Sequence, residues 1–149
     1  MRALLQRVCG CRVRVDGREV ASIGPGLLVL LGVSRADDSG DVDFMVNKIV
    51  NLRIFDDADG KLNLSLAEVD GELMVVSQFT LYGDARKGRR PSYIDAAPPQ
   101  RAEELYEAVC AAFSAAGFPP ARGAFGAHME VELVNDGPVT LLIESPSRP

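Results

Sequence analysis

The chain has 149 residues, 47% hydrophobic and 25% charged, with a formal net charge of −5. That length and balance predict one globular domain over 1–149 with enough core to fold without staples, and no apolar run reaches the length of a membrane span. The acidic balance argues against wholesale nucleic-acid binding. The N-terminal stretch MRALLQRVCGCRVRV is broken by arginines and lacks the continuous apolar core of a signal peptide, so a cytoplasmic location is expected. Cys9, Cys11 and Cys110 are an odd count without metal spacing. Cys9 and Cys11 should share one face of a strand, a poor geometry for a bridge, which predicts free thiols in a reducing compartment.

Taken in chain order, residues 2–15 read as a strand ending at Asp16-Gly17, a hairpin turn signal. REVASI is the return strand, and Gly24-Pro25-Gly26 punctuates it. LLVLLGV, 27–33, is a continuous apolar run bounded by glycines, as in a buried strand. From Ser39 the period changes: Val42, Met45, Val46, Ile49 and Val50 fall on one helix face. Ser39 is the expected cap, with Asp41 and Asp43 as first-turn charge. FDDADGKLN, 55–63, resembles part of a calcium loop but lacks the closing glutamate, so a solvated turn is expected. GELMVVSQFTL supplies another strand. Pro98-Pro99 opens a second helix with Leu105, Val109, Ala112 and Phe113 on its apolar face, and Gly117 closes it. Two final strands flank Gly137-Pro138 inside VELVNDGPVTLLIES. Gly weakens a strand interior and Pro removes a ladder donor, so an ordinary turn accounts for the break. The order ββ-β-α-β-α-ββ is α+β.

Three features go beyond packing. Ser77-Gln78-Phe79-Thr80 ends a buried strand and delivers hydroxyls, an amide and backbone N–H groups to one mouth. Local side-chain hydrogen bonding at a strand terminus explains the same composition. Arg86, Lys87, Arg89 and Arg90 crowd five positions, as a solvated loop or as a phosphate-binding patch. His128 is the only histidine, and nothing in its spacing ties it to a serine, threonine or cysteine as a base. No cluster has metal-ligand spacing, and glycine-rich phosphate loops are absent. No metal and no cofactor are expected. An enzyme with this inventory must work with hydroxyls, backbone dipoles and what the substrate brings.

VSQFTLYGDARKGRRPSY resembles the signature of the D-aminoacyl-tRNA deacylases, and VNDGPVT resembles that family's second motif. The opening 33 residues, the GELMVVSQF lead-in and the FGAHM segment are also similar, so the resemblance runs along essentially the whole chain. It implies a compact, barrel-like α+β fold with two main helices, acting as a homodimer with its site near the subunit interface. It implies hydrolysis of the ester joining a D-amino acid to the terminal adenosine of tRNA. Glycine mischarged on tRNA is also a substrate of the family, and L-aminoacyl esters are rejected. The family's catalytic motif falls on Ser77, Gln78, Phe79 and Thr80, and its Gly-cisPro motif on Gly137 and Pro138, followed by Val139 and Thr140. Arg7 corresponds to the arginine supporting that loop. Phe125 and Met129 correspond to pocket residues, and Arg86, Lys87, Arg89 and Arg90 become contacts for tRNA phosphates. His128 stands where the family often has an acidic residue, and Leu141-Leu142 near where it has an aromatic pair. Both departures bear on fine pocket shape.

Under this resemblance the chiral choice is steric: a backbone wall stops an L side chain and lets a D side chain, or none, pass. Gly137 leaves room for close backbone approach. The N–H groups near Phe79 and Thr80 are a candidate oxyanion hole, with Gln78 orienting the ribose or water and the 2′-hydroxyl of the ribose assisting. Thr80 as a nucleophile is the competing mechanism. A dimeric RNA-binding module of the same fold, without turnover, is the non-enzymatic alternative.

Overall fold

The computed structural model describes residues 1–146. A long first strand, β1 (Arg2–Val15), is the spine of the sheet. It turns at Asp16 and Gly17, whose φ of 51° and 75° are the two positive values that a tight two-residue hairpin requires. β2 (Arg18–Ile23) and β3 (Gly26–Gly32) then run end to end along one edge of β1, Ile23 opposite Cys11 and Gly26 opposite Val8. The other edge of β1 pairs with the last strand, β8 (Glu130–Glu144). Beyond β3 come β6 (Glu72–Ser77) and the short β7 (Ala121–Arg122), both parallel to their neighbour. A Cβ on Gly26 would lie 1.9 Å from the Glu72 carbonyl oxygen, so glycine is what lets β3 approach β6 there.

Helix α1 (Ser39–Asn51) buries Val42, Met45, Val46 and Ile49, the face expected from the periodicity. Its cap is Asp38 and not Ser39. Asp38 is extended (φ −140°) and accepts from the Gly40 N–H at 2.7 Å, while the Asp41 carboxylate accepts from the Asp38 N–H at 2.8 Å. That reciprocal pair is a capping box, with Ser39 already inside the helix. Helix α2 (Pro99–Ala115) begins with proline, where a missing donor costs nothing, and buries Leu105, Tyr106, Val109, Cys110 and Phe113. Both helices cover one sheet face, over Ala3, Leu5, Leu27, Val29, Leu31 and Val75. The opposite face carries Val8, Val13, Leu28, Met74 and Val76 and curls onto Met129, Val131 and Leu133, giving the barrel-like shape. Covered on both sides, β3 reads as an unbroken apolar run. The 55–63 stretch is a turn between two short strands, β4 (Phe55–Asp56) and β5 (Leu62–Leu64). The Asp57 carboxylate closes it by accepting from the N–H groups of Asp59 and Lys61, at 2.9 and 3.0 Å.

Two further expectations are corrected. The C-terminal pair of strands is one strand: Gln6 pairs with Thr140 and Val8 with Asn135, so residues 136–139 bow out opposite the single residue Arg7. A second register shift, between Val8 and Gly10, makes Cys9 an extra residue on β1, leaving it exposed and Cys11 buried instead of both on one face. All three cysteines are free thiols.

Candidate active site

Strand β6 carries Ser77 to the level of Leu31 and Ala3. The Gln78 N–H still donates to the Leu31 carbonyl at 2.7 Å, and then the chain leaves the sheet in a 3-10 turn, Phe79–Tyr82. Gln78, which caps that turn, makes no side-chain cap bond. The first N–H groups of a helical turn have no partner within it, so those of Phe79 and Thr80 are donors at the surface. The Gln78 side-chain amide donates instead to the Thr80 hydroxyl oxygen. This contact offers the hydroxyl no acceptor for its proton. His128 is exposed.

The expected pocket residues Phe125 and Met129 follow β7. Arg122 pairs with Val75, so the register of β7 carries the chain past Val76 and Ser77 toward Phe125. The Phe125 ring is 5.8 Å from that of Tyr106, and the Met129 sulfur lies where a Cβ on Gly123 would come within 2.8 Å. Tyr82, at the end of the turn, is half-buried beneath the Arg2 guanidinium, 4.6 Å from its ring centre. Burial, with the Asp37 carboxylate nearby, pushes the Tyr82 phenol up to about 12, so it stays neutral at ordinary pH.

The second motif is built around Arg7, whose side chain is buried on the helix side of β1. Its Nε donates to the Asp136 carbonyl at 3.1 Å, and Nη1 donates to the Ile54 carbonyl at 3.0 Å and to the Asp56 carboxylate at 3.1 Å. Asp136 also places its carboxylate 3.2 Å from Nε. The Asn135 amide donates to the carbonyls of Arg7 and Val139, each at 3.0 Å, and so ties both feet of the bowed loop to β1. The Gly137-Pro138 peptide is cis, and Gly137 has φ 124°. A Cβ there would lie 2.9 Å from the Val139 side chain and 3.0 Å from the Arg7 guanidinium. Gly137, Pro138 and Thr140 face solvent, while Val139 is half-buried. Sequence reasoning named Arg7 but missed Asn135, Asp56 and Asp136. The Asn-Asp pair directly before the glycine was the available signal, since short polar side chains hydrogen-bond the backbone near them.

Within one chain the two motifs stay apart. Arg7 is level with Leu27 and Leu73, whereas Ser77 is level with Leu31 and Ala3. Four residues along the strands and three strand spacings across separate them by roughly 20 Å. The basic run is a third feature, on an exposed loop closed by a bridge between Asp84 and Ser92. Arg86 folds back on Asp84 at 2.7 Å, and this hydrogen-bonded pairing lowers the Asp84 carboxyl to about 2. Lys87, Arg89 and Arg90 make no ion pair among the described residues. Among those residues no group of three or more His, Cys, Asp or Glu side chains is placed to hold a metal ion. No helix among the described residues is long and apolar enough to cross a membrane.

The model of the D-Tyr-tRNA(Tyr) deacylase family matches residues 4–144. A D-aminoacyl-tRNA deacylase of Myxococcus xanthus is 60% identical over 146 residues, 98% of this chain and 95% of the relative. Another, of Thermosipho africanus, is 57% identical over 145 residues, covering 97% of each. Among solved structures, that of a c-Myc DNA Unwinding Element Binding Protein superposes with a TM-score of 0.94 at 40% identity, over 99% of this chain and 100% of that one. A probable eukaryotic D-amino acid tRNA deacylase has a TM-score of 0.79 at 18% identity, over 95% and 97% of the two chains, and shares the fold. The chain belongs to the D-Tyr-tRNA(Tyr) deacylase family, and it is an enzyme that hydrolyses the ester of D-aminoacyl-tRNA.

Proposed function

We propose that hydrolysis takes place at the 3-10 turn after β6, with backbone donors and no protein nucleophile. The carrying observation is the Thr80 hydroxyl, which receives a hydrogen bond from Gln78 and has no basic partner among the described residues to take its proton. A water adds to the ester carbonyl, and the N–H groups of Phe79 and Thr80 hold the oxyanion, a contribution of about 10²–10³ in rate per donor. The bond to the 3′-oxygen then breaks, and the neighbouring 2′-hydroxyl relays the proton that the leaving oxygen needs. Ser77 and Gln78 position the ribose and the water, with Phe125 and Met129 shaping the pocket beside them.

The loop Gly137-Pro138-Val139-Thr140, held by Arg7 and Asn135, is the chirality filter. It stops an L side chain, passes a D side chain, and passes glycine, which makes glycyl-tRNA a substrate. With roughly 20 Å between filter and turn in one chain, a homodimer with its site near the subunit interface brings the two together. β8 supports this reading. It is an edge strand that exposes Val134 (62%) and Leu142 (55%), the kind of apolar surface a partner covers. Lys87, Arg89 and Arg90, with Arg86, contact phosphates of the acceptor end, and the enzyme works on tRNA in the cytoplasm as one domain, 1–149. A nucleic-acid-binding role beside catalysis is the second reading, favoured by that basic loop and by the relative at 40% identity, which is named as a DNA-binding protein.

The deciding experiment is single-turnover deacylation of D-tyrosyl-tRNA by the Thr80→Val enzyme. Activity within about tenfold of the parent is expected, because the backbone donor survives the change. A loss beyond about 10⁴, with a trapped acyl-enzyme in the parent, makes Thr80 the nucleophile and overturns the reading. Equal rates on D- and L-tyrosyl-tRNA overturn the filter.

A further inference from the structure

The Phe79 ring is 55% exposed and meets the Tyr93 ring edge-on, 5.1 Å between centres and 67° between planes. Tyr93 is itself 38% exposed. Two water-facing aromatic rings are thus in contact, and Tyr93 is held in place. Tyr93 lies against Gly83, where a Cβ would come within 2.9 Å of the ring. The backbone on either side is pinned: Asp84 and Ser92 exchange N–H···O bonds of 2.8 and 2.9 Å, and the Tyr93 carbonyl accepts from Ala96 at 3.1 Å. The Arg35 guanidinium also donates to the Ile94 carbonyl. The aromatic pair thus sits at the foot of the loop whose tip carries Lys87, Arg89 and Arg90. A rigid aromatic face beside free cations is the arrangement that holds single-stranded nucleic acid, with bases on the rings and phosphates at the cations.

We propose that Tyr93, with Phe79, is a stacking shelf for a base of the single-stranded 3′ end of tRNA, and that Tyr93 is a binding residue of this enzyme. The assignment rests on the reading that the Phe79–Tyr82 turn holds the ester, which places the last nucleotides of the tRNA over this foot of the loop. The charge of the loop tip selects an RNA strand over a second copy of this acidic chain as the occupant.

The test measures the affinity of the full-length protein for deacylated tRNA, intact or trimmed of its last three nucleotides, with deacylation kinetics on D-tyrosyl-tRNA alongside. Tyr93→Ala weakens binding of intact tRNA about tenfold to a hundredfold and leaves binding of the trimmed tRNA unchanged. It raises KM in proportion with kcat at saturation kept, and leaves the salt dependence of binding as in the parent. Tyr93→Phe binds like the parent. Tyr93→Leu, which keeps apolar bulk without a ring, behaves like Tyr93→Ala and replaces it where alanine fails to fold. Unaltered binding of intact tRNA by Tyr93→Leu, or equal losses on both tRNAs, overturns the proposal. Dissociation of a dimer by Tyr93→Leu in sedimentation also overturns it, since the shelf then belongs to a second copy. Because binding is read on deacylated tRNA, a failure of the catalytic reading at Thr80 shows only in turnover and remains separate.

Discussion

At the scale of single residues, Gly137 has little freedom to change. Its φ of 124° is open to glycine and strained for any L side chain, and an added Cβ meets both Val139 and the Arg7 guanidinium. Gly137→Ala is expected to cost about 1–3 kcal/mol of stability. It should show as a melting temperature several degrees lower, together with at least a tenfold loss in kcat/KM on D-tyrosyl-tRNA. Unchanged melting and turnover would mean that the loop relaxes around the methyl at no cost. Arg7 explains why relaxation is blocked. Its Nε and Nη1 are committed to Ile54, Asp56 and Asp136, so swinging it aside leaves the buried Ile54 carbonyl without this donor.

Among the elements, α1 offers a clean comparison. Asp38→Ala removes the acceptor of the capping box and should cost about 1 kcal/mol, whereas Ser39→Ala should be within about 0.5 kcal/mol of the parent. Urea midpoints of the two variants decide it, and the reverse order would restore Ser39 as the cap. The sequence placed this helix by its periodicity yet missed its cap by one residue, because Asp38 and Ser39 are both good caps and only backbone geometry separates them. The hairpin at Asp16-Gly17 was legible because a two-residue turn makes unmistakable chemical demands. The last strand was not. Gly-Pro reads as a break, and only the ladder on β1 reveals that pairing resumes beyond it, in a shifted register. The faces of Cys9 and Cys11 were misread because β1 has an extra residue of its own at Cys9, which shows only in the pairing with β8. The four residues of the SQFT turn were visible as a polar cluster. Their distance from Gly137 was not, because it depends on strand order.

For the whole molecule, two expectations concern the assembly and pH. Leu142→Glu places a charge on the exposed face of β8 and should give monomers in sedimentation, with deacylation falling at least about a hundredfold. A monomer with full activity would show that one chain completes the site. Alkaline stability follows from buried protonated groups. Burial pushes the phenols of Tyr82 and Tyr106 up from 10.0 to about 12 and the Cys11 thiol from 9.0 to about 11. The folded chain therefore keeps protons that the unfolded chain releases, and stability is whole below about pH 9 and declines as pH rises toward 12. Urea midpoints taken at pH 8, 10 and 11 should fall progressively, and Tyr82→Phe should flatten part of that fall; a level profile would contradict it. The bowed loop has a last consequence for how this molecule can be altered. Because Asn135 fastens both feet of the loop and the ladder continues on either side, the length of 136–139 is decoupled from strand register. A residue inserted elsewhere in β8 would turn the strand inside out. One inserted here falls in the unpaired arch, so the ladder on either side keeps its pairing while the loop geometry that Arg7 and Val139 hold is what changes.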